Sequence, residues 1–175
     1  MAPAVLPVQE SSPAGILVLA LLLPVVGILL TFLSGAGLAR PITLVLLTAG
    51  LGVSAAIVVG VWRNGNSLTY VSGGWAPPLG IKLRADGLSA AMLAVTALVI
   101  FAVALYASPK PGRTGGRLGT RASFSFWILL LAVWAAMNAV FLGNDLFNLY
   151  VALELATFAA VPLVSLSGSA GTLAA

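Results

Sequence analysis

A single acidic residue of this 175-residue chain stands deep inside an apolar run. Glu154 lies eight residues into the stretch 146–166, about 12 Å along a helix that rises 1.5 Å per residue. That depth is near the middle of a hydrocarbon core about 30 Å thick. A carboxyl there costs about 3 kcal/mol to insert, and such groups face a bundle interior or a wet cavity and mark ion or proton paths. Removal from water makes a carboxylic acid hold its proton, and a neighbouring cation makes it let go. A buried Glu set between those two influences loads and releases a proton, which is relay chemistry rather than bond breaking. The plainer alternative is a protonated Glu that glues two helices together. At about 100° per residue, Tyr150 and Thr157 fall within roughly 40–60° of Glu154. Their hydroxyls are candidate hydrogen-bond partners of the carboxylate, with Phe147 and Val161 on the same face.

The other polar groups have plainer readings. Asp145 precedes the 146–166 run and suits an N-cap, where a carboxylate meets the helix dipole; a part in proton uptake is its secondary reading. Asp86 precedes the third apolar run in the same way. Asn138 can hydrogen-bond across helices. With no His and no Cys, disulfides, thiol nucleophiles, Cys/His zinc sites and iron–sulfur ligation are ruled out. No phosphate loop or dinucleotide fingerprint is present, and the serines have no His for a hydrolase triad. No metal site, no cofactor and no redox centre are expected in this chain.

The elements that must position Glu154 follow from composition. The chain is 61% hydrophobic and 7% charged, against roughly 45–50% and about 25% in soluble domains. Twelve charges cannot cover a globular surface, so the class is an all-α integral membrane protein. A net charge of +4 would suggest nucleic acid in a soluble chain. Here the basic residues sit between apolar runs and act as topology signals, so the bilayer is the partner and nucleic acid is not.

Five runs reach the roughly 20 residues a membrane helix needs: 15–33, 42–62, 87–107, 124–142 and 146–166. Pro24 and Pro162 interrupt the first and fifth, and each removes a backbone donor. Gly52, Ala56 and Gly60 give the second a small-xxx-small spacing that permits close helix approach. Loop 63–86 holds β-prone pieces, Leu68–Val71 and Leu79–Leu83, around a Gly/Pro-rich turn with Trp75, which predicts a surface hairpin. The stretch Pro109–Thr120 is expected to be a flexible loop. Arg40, Lys110, Arg113, Arg117 and Arg121 fall on one side, and Arg63, Lys82 and Arg84 on the other. The positive-inside rule then makes the N-terminus and the hairpin extracytoplasmic, in a bacterial-type inner membrane.

The segment Ala136–Leu155, with Asn138, Phe141, Asp145-Leu146-Phe147-Asn148-Leu149-Tyr150-Val151 and Glu154, resembles the fourth-to-fifth-helix region of antiporter-like subunits. These are the large proton-translocating membrane subunits of respiratory complex I and the D-type subunits of Mrp antiporters. Leu83–Ala90 is similar to the family's approach to helix three. The resemblance covers about residues 65 to 168, and the first two spans only by hydropathy. It implies the N-terminal part of a 14-helix fold built on two inverted five-helix repeats. It also implies that Glu154 is the family's proton-transfer glutamate, which pairs there with a lysine on a later helix. Lys82 and Lys110 lie in loops and cannot replace that lysine. The chain stops before a sixth helix, so a fragment, a truncated product or one part of a split subunit is expected, with other membrane subunits as partners.

Three functions stay open from the sequence. The first is a subunit of a complex I-like NADH-quinone oxidoreductase that relays protons through Glu154. The second is a D-type subunit of an Mrp Na⁺/H⁺ antiporter, moving protons or Na⁺. The third is an inactive membrane scaffold.

Overall fold

The computed structural model describes residues 15–71, 82–107 and 116–168. Its elements run α1 (Gly15–Ser34), α2 (Ala39–Asn64), β1 (Leu68–Val71), β2 (Lys82–Ala85), α3 (Gly87–Tyr106), α4 (Gly116–Leu142) and α5 (Leu146–Gly168). Each of these five helices is long and apolar enough to cross a membrane. Their outward faces carry large apolar side chains, among them Leu29, Phe32, Val45, Leu98 and Phe158. Such a surface is at home in lipid and would be an aggregation hazard in water.

Local chemistry sets the helix ends. Gly65 closes α2 in the left-handed region at φ 63°, with its N–H donating to Val61 O, an αL cap that lacks a Cβ penalty only for glycine. Asp86 opens α3 by accepting the Ser89 N–H at 2.8 Å. Asp145 opens α5 likewise, accepting the Asn148 N–H at 2.7 Å. Two helices are longer than expected. Helix α2 runs from Ala39 to Asn64, so Arg40 and Arg63 stand on it and not in the flanking loops. The fourth helix begins at Gly116, so Arg117 and Arg121 stand on a helix and not in a loop. No proline stands between Pro111 and the fourth apolar run, so the backbone can continue as helix for two extra turns despite Gly116 and Gly119. The rest of the expected loop, with Lys110 and Arg113, lies outside the described residues, as do Trp75 and the hairpin turn.

Helices α1 to α4 form a bundle in which α1 packs on α2 and α4, α2 on α3, and α3 on α4, while α5 leans mainly on α4. The two strands pair antiparallel with Leu68 opposite Ala85 and Val71 opposite Lys82. Of the expected β-prone piece, residues 79–81 lie outside the described residues, and the strand runs on from Lys82 to Ala85. Leu68, Leu83 and Ala85 are buried against Leu17, Ile57, Leu93 and Leu142 at one end of the bundle. A second apolar cluster, with Leu47, Ile100, Trp127, Leu131 and Trp134, fills the other end.

Lipid tails are as apolar as leucine, so fit and interhelical hydrogen bonds must hold such helices together. Two contacts show this. A Cβ on Gly50 would overlap Cζ2 and Cη2 of Trp134, so the indole seats against bare α2 backbone. Asn138 Nδ2 donates to Ala20 O of α1 at 2.8 Å. The expected close-approach stripe is not where the described helices meet: Gly52 and Ala56 are exposed, with nothing within 4 Å of a Cβ at Gly52, and Gly60 lies against Leu68 of the hairpin.

Candidate functional site

The backbone of α5 is launched from a short elbow after α4. Gly143 in that elbow donates its N–H to Ala139 O at 2.9 Å and forms an isolated antiparallel bridge with Leu83 of the hairpin. Two residues on, both carboxylate oxygens of Asp145 are engaged by Asn148, one by its backbone N–H and one by its side-chain amide. Asp145 therefore caps the helix that carries Glu154, and its lone pairs are directed into that cap.

About one and a half turns further along, Tyr150 donates its phenolic hydrogen to Glu154 Oε1 at 2.7 Å. The direction follows from helix geometry: side chains lean toward the N-terminus, so Glu154 reaches back toward the residue four before it. Thr157 does not share this contact. Its hydroxyl donates to the backbone oxygens of Leu153 at 2.9 Å and Glu154 at 2.8 Å, the usual resting place of a helical threonine. The expected pair of hydroxyl partners is thus reduced to Tyr150.

Glu154 is also more open than its depth in the run implies. Its side chain is not buried but exposed on the outer face of α5, as are Tyr150 and Phe158. The cause is packing: α5 leans mainly on α4, and Glu154 points away from that contact. The carboxylate borders an open groove of about 540 Å³ lined by Glu154, Thr157, Phe158, Val161 and Pro162. Pro162 has no N–H to give to the carbonyl four residues earlier, that of Phe158. The helix therefore lacks one i to i−4 backbone bond along the stretch that borders the groove.

Sequence reasoning does not single out Gly50, Trp134 or the contact of Leu83 with Gly143. Pro24 offers one signal. It withdraws the helical donor of Ala20 O, and Asn138 is the buried amide able to replace it.

No family model matches the chain. NADH-quinone oxidoreductase subunit N of Desulforudis audaxviator is 35% identical over 133 residues, which are 74% of this chain and 26% of that protein. Putative antiporter subunit mnhD2 of Staphylococcus epidermidis is 31% identical over 158 residues, 89% of this chain and 30% of the relative. The D subunit of the Na(+)/H(+) antiporter of Bacillus subtilis is 32% identical over 120 residues, 69% and 23% respectively. The chain spans about a quarter of the length of these curated relatives. In the solved structure of the membrane-bound sulfane sulfur reductase, an archaeal respiratory membrane complex, one chain has the same fold with a TM-score of 0.68. It is 22% identical, and the match covers 82% of this chain and 29% of that one.

Proposed function

This integral, multi-pass membrane chain belongs, as a partial member, to the antiporter-like family that includes NADH-quinone oxidoreductase subunit N and the D subunit of Na⁺/H⁺ antiporters. From that premise we propose that it relays protons through Glu154 as part of a larger complex I-like membrane assembly, with its N-terminus outside a bacterial-type inner membrane. The observation that carries the proposal is the Tyr150–Glu154 pair on the open face of α5. A carboxylate at mid-span cannot face hydrocarbon without a cost of several kcal/mol by most estimates. Further protein or a hydrated cavity must cover it in the working assembly, and the relatives are about three times as long as this chain. A carboxylate covered by protein, next to a hydroxyl and a groove, is in a position to exchange protons with water or with a cationic partner.

The test is Glu154→Gln in the complete membrane assembly. Assembly should persist and proton translocation should fall to background. Unchanged proton stoichiometry would overturn the role of Glu154.

A second reading, an Mrp-type cation/proton antiporter subunit, is favoured by the wider reach of the match to mnhD2, 89% of this chain against 74% for subunit N. Na⁺-dependent proton exchange by the assembly, without any quinone reductase activity, would select that reading; proton movement coupled to quinone reduction would select the first.

A further inference from the structure

We propose that the core of the α1–α2–α4 contact contains a built water site, in which one water molecule bridges Trp134 Nε1 to Asn138 Oδ1. Asn138 is 3% exposed and Trp134 2%, and neither of these two atoms has a hydrogen-bond partner among the described residues. The orientation of the Asn138 amide is not arbitrary. A carbonyl only accepts, so the amino group must face Ala20 O, and Oδ1 is fixed on the other side. That carbonyl needs a donor from outside its helix because its own would be the N–H of residue 24, which is proline.

The two unpartnered atoms complement each other. An indole Nε1–H only donates, and an amide oxygen only accepts. They stand four residues apart on α4, a spacing that brings side chains to one face about 5–6 Å apart at Cβ. A water between them accepts from Trp134 and donates to Asn138. Its second hydrogen has a candidate acceptor on α2. The indole packs against Gly50, and one turn along from Gly50 the buried Ser54 spends its hydroxyl proton on Gly50 O at 2.9 Å, leaving its oxygen lone pairs free to accept. Three partners are typical of a buried water.

The location supports the same conclusion. One apolar cluster includes Ala20, Ile57 and Leu142, and the other Leu47, Leu131 and Trp134. Ser54 and Asn138 fall between them in sequence on α2 and α4, at the seam where two dry regions meet. The inferred ligand is water held as a permanent part of the core, separate from Glu154 and independent of whether the chain moves protons.

The experiment is infrared and UV resonance Raman difference spectroscopy on the intact membrane assembly. Trp134→Phe serves as the blank that isolates the Trp134 indole. The indole N–H is expected at the position of a hydrogen-bonded donor. A water O–H band that shifts in H₂¹⁸O is expected in the unaltered protein and lost in Trp134→Phe, which keeps an aromatic ring in place. Asn138→Leu should move the indole N–H toward its free position and remove the same water band. If Asn138→Leu does not assemble, the Trp134→Phe difference decides alone. A free indole N–H in the unaltered protein, or no ¹⁸O-sensitive band that depends on Trp134, would overturn the site.

Discussion

Tyr150 stands one turn before Glu154 on α5 and holds its carboxylate through a hydrogen bond of 2.7 Å. Tyr150→Phe removes that donor and keeps the ring. Proton translocation should slow without stopping, because Glu154 remains. The carboxyl stretch of Glu154 in infrared difference spectra should shift as the bond is lost. A spectrum unchanged by the substitution would show that the hydroxyl does not reach the carboxylate in the membrane.

Gly50 and Trp134 occupy each other's space. Gly50→Ala should destabilise the bundle by about 1–3 kcal/mol, the usual cost of overpacking. Trp134→Phe removes Cζ2 and Cη2, the atoms the new methyl would strike. The double variant should therefore lose less stability than the sum of the singles, as contacting sites do. Thermal unfolding of the four proteins in the same detergent measures the difference, and strict additivity would contradict the contact.

Asn138→Leu leaves Ala20 O buried without a donor, and the cost expected is about 1–3 kcal/mol. Asn138→Asp is a sharper probe. A protonated carboxyl still offers one hydrogen to the carbonyl, so that variant should recover part of the loss at low pH, and the melting temperature should fall as pH rises. Equal melting temperatures for the Leu and Asp variants at every pH would argue against the bond.

Asp86 makes the start of α3 sensitive to pH. The Ser89 backbone N–H and hydroxyl, with a smaller contribution from the nearby Arg84 charge, hold its carboxyl below the ordinary aspartate value. A carboxyl depressed on folding stabilises the folded state fully above its unfolded value, near 3.9, and loses that contribution as pH falls through the lower folded value. Asp86→Ala should cost about 1 kcal/mol at neutral pH as a lost cap, and the difference from the unaltered chain should close as pH drops below that range. Unfolding midpoints measured from neutral pH downward test this.

Much of the architecture is legible in the chain because the membrane imposes it. A span must be long and almost uncharged, so five apolar runs announce five helices. Capping is local, so Asp86 and Asp145 can be placed at helix starts from position alone. Glu154 is legible as a candidate because it is the one acidic residue deep in an apolar run. The start of α4 at Gly116 is not, because basic residues near a span end are equally compatible with a loop and with a helical extension.

What the sequence determined by itself was therefore the five described spans, the carboxylate caps of α3 and α5, and the carboxylate that chemistry could use. The tertiary structure decided which faces meet. A helix apolar on all sides carries no periodic signal of its buried face, so nothing in α2 distinguished Gly50, which receives Trp134, from Gly52, which is exposed. Nor could spacing along one helix reveal that Asn138 answers the carbonyl freed by Pro24 on another, or that Leu83 bridges to the elbow that launches α5. Contacts between distant segments depend on complementary shape and on leftover donors and acceptors, and these come together only when the bundle forms. The exposure of Glu154 belongs with them, since it depends on how α5 leans on α4 and on no property of α5 alone.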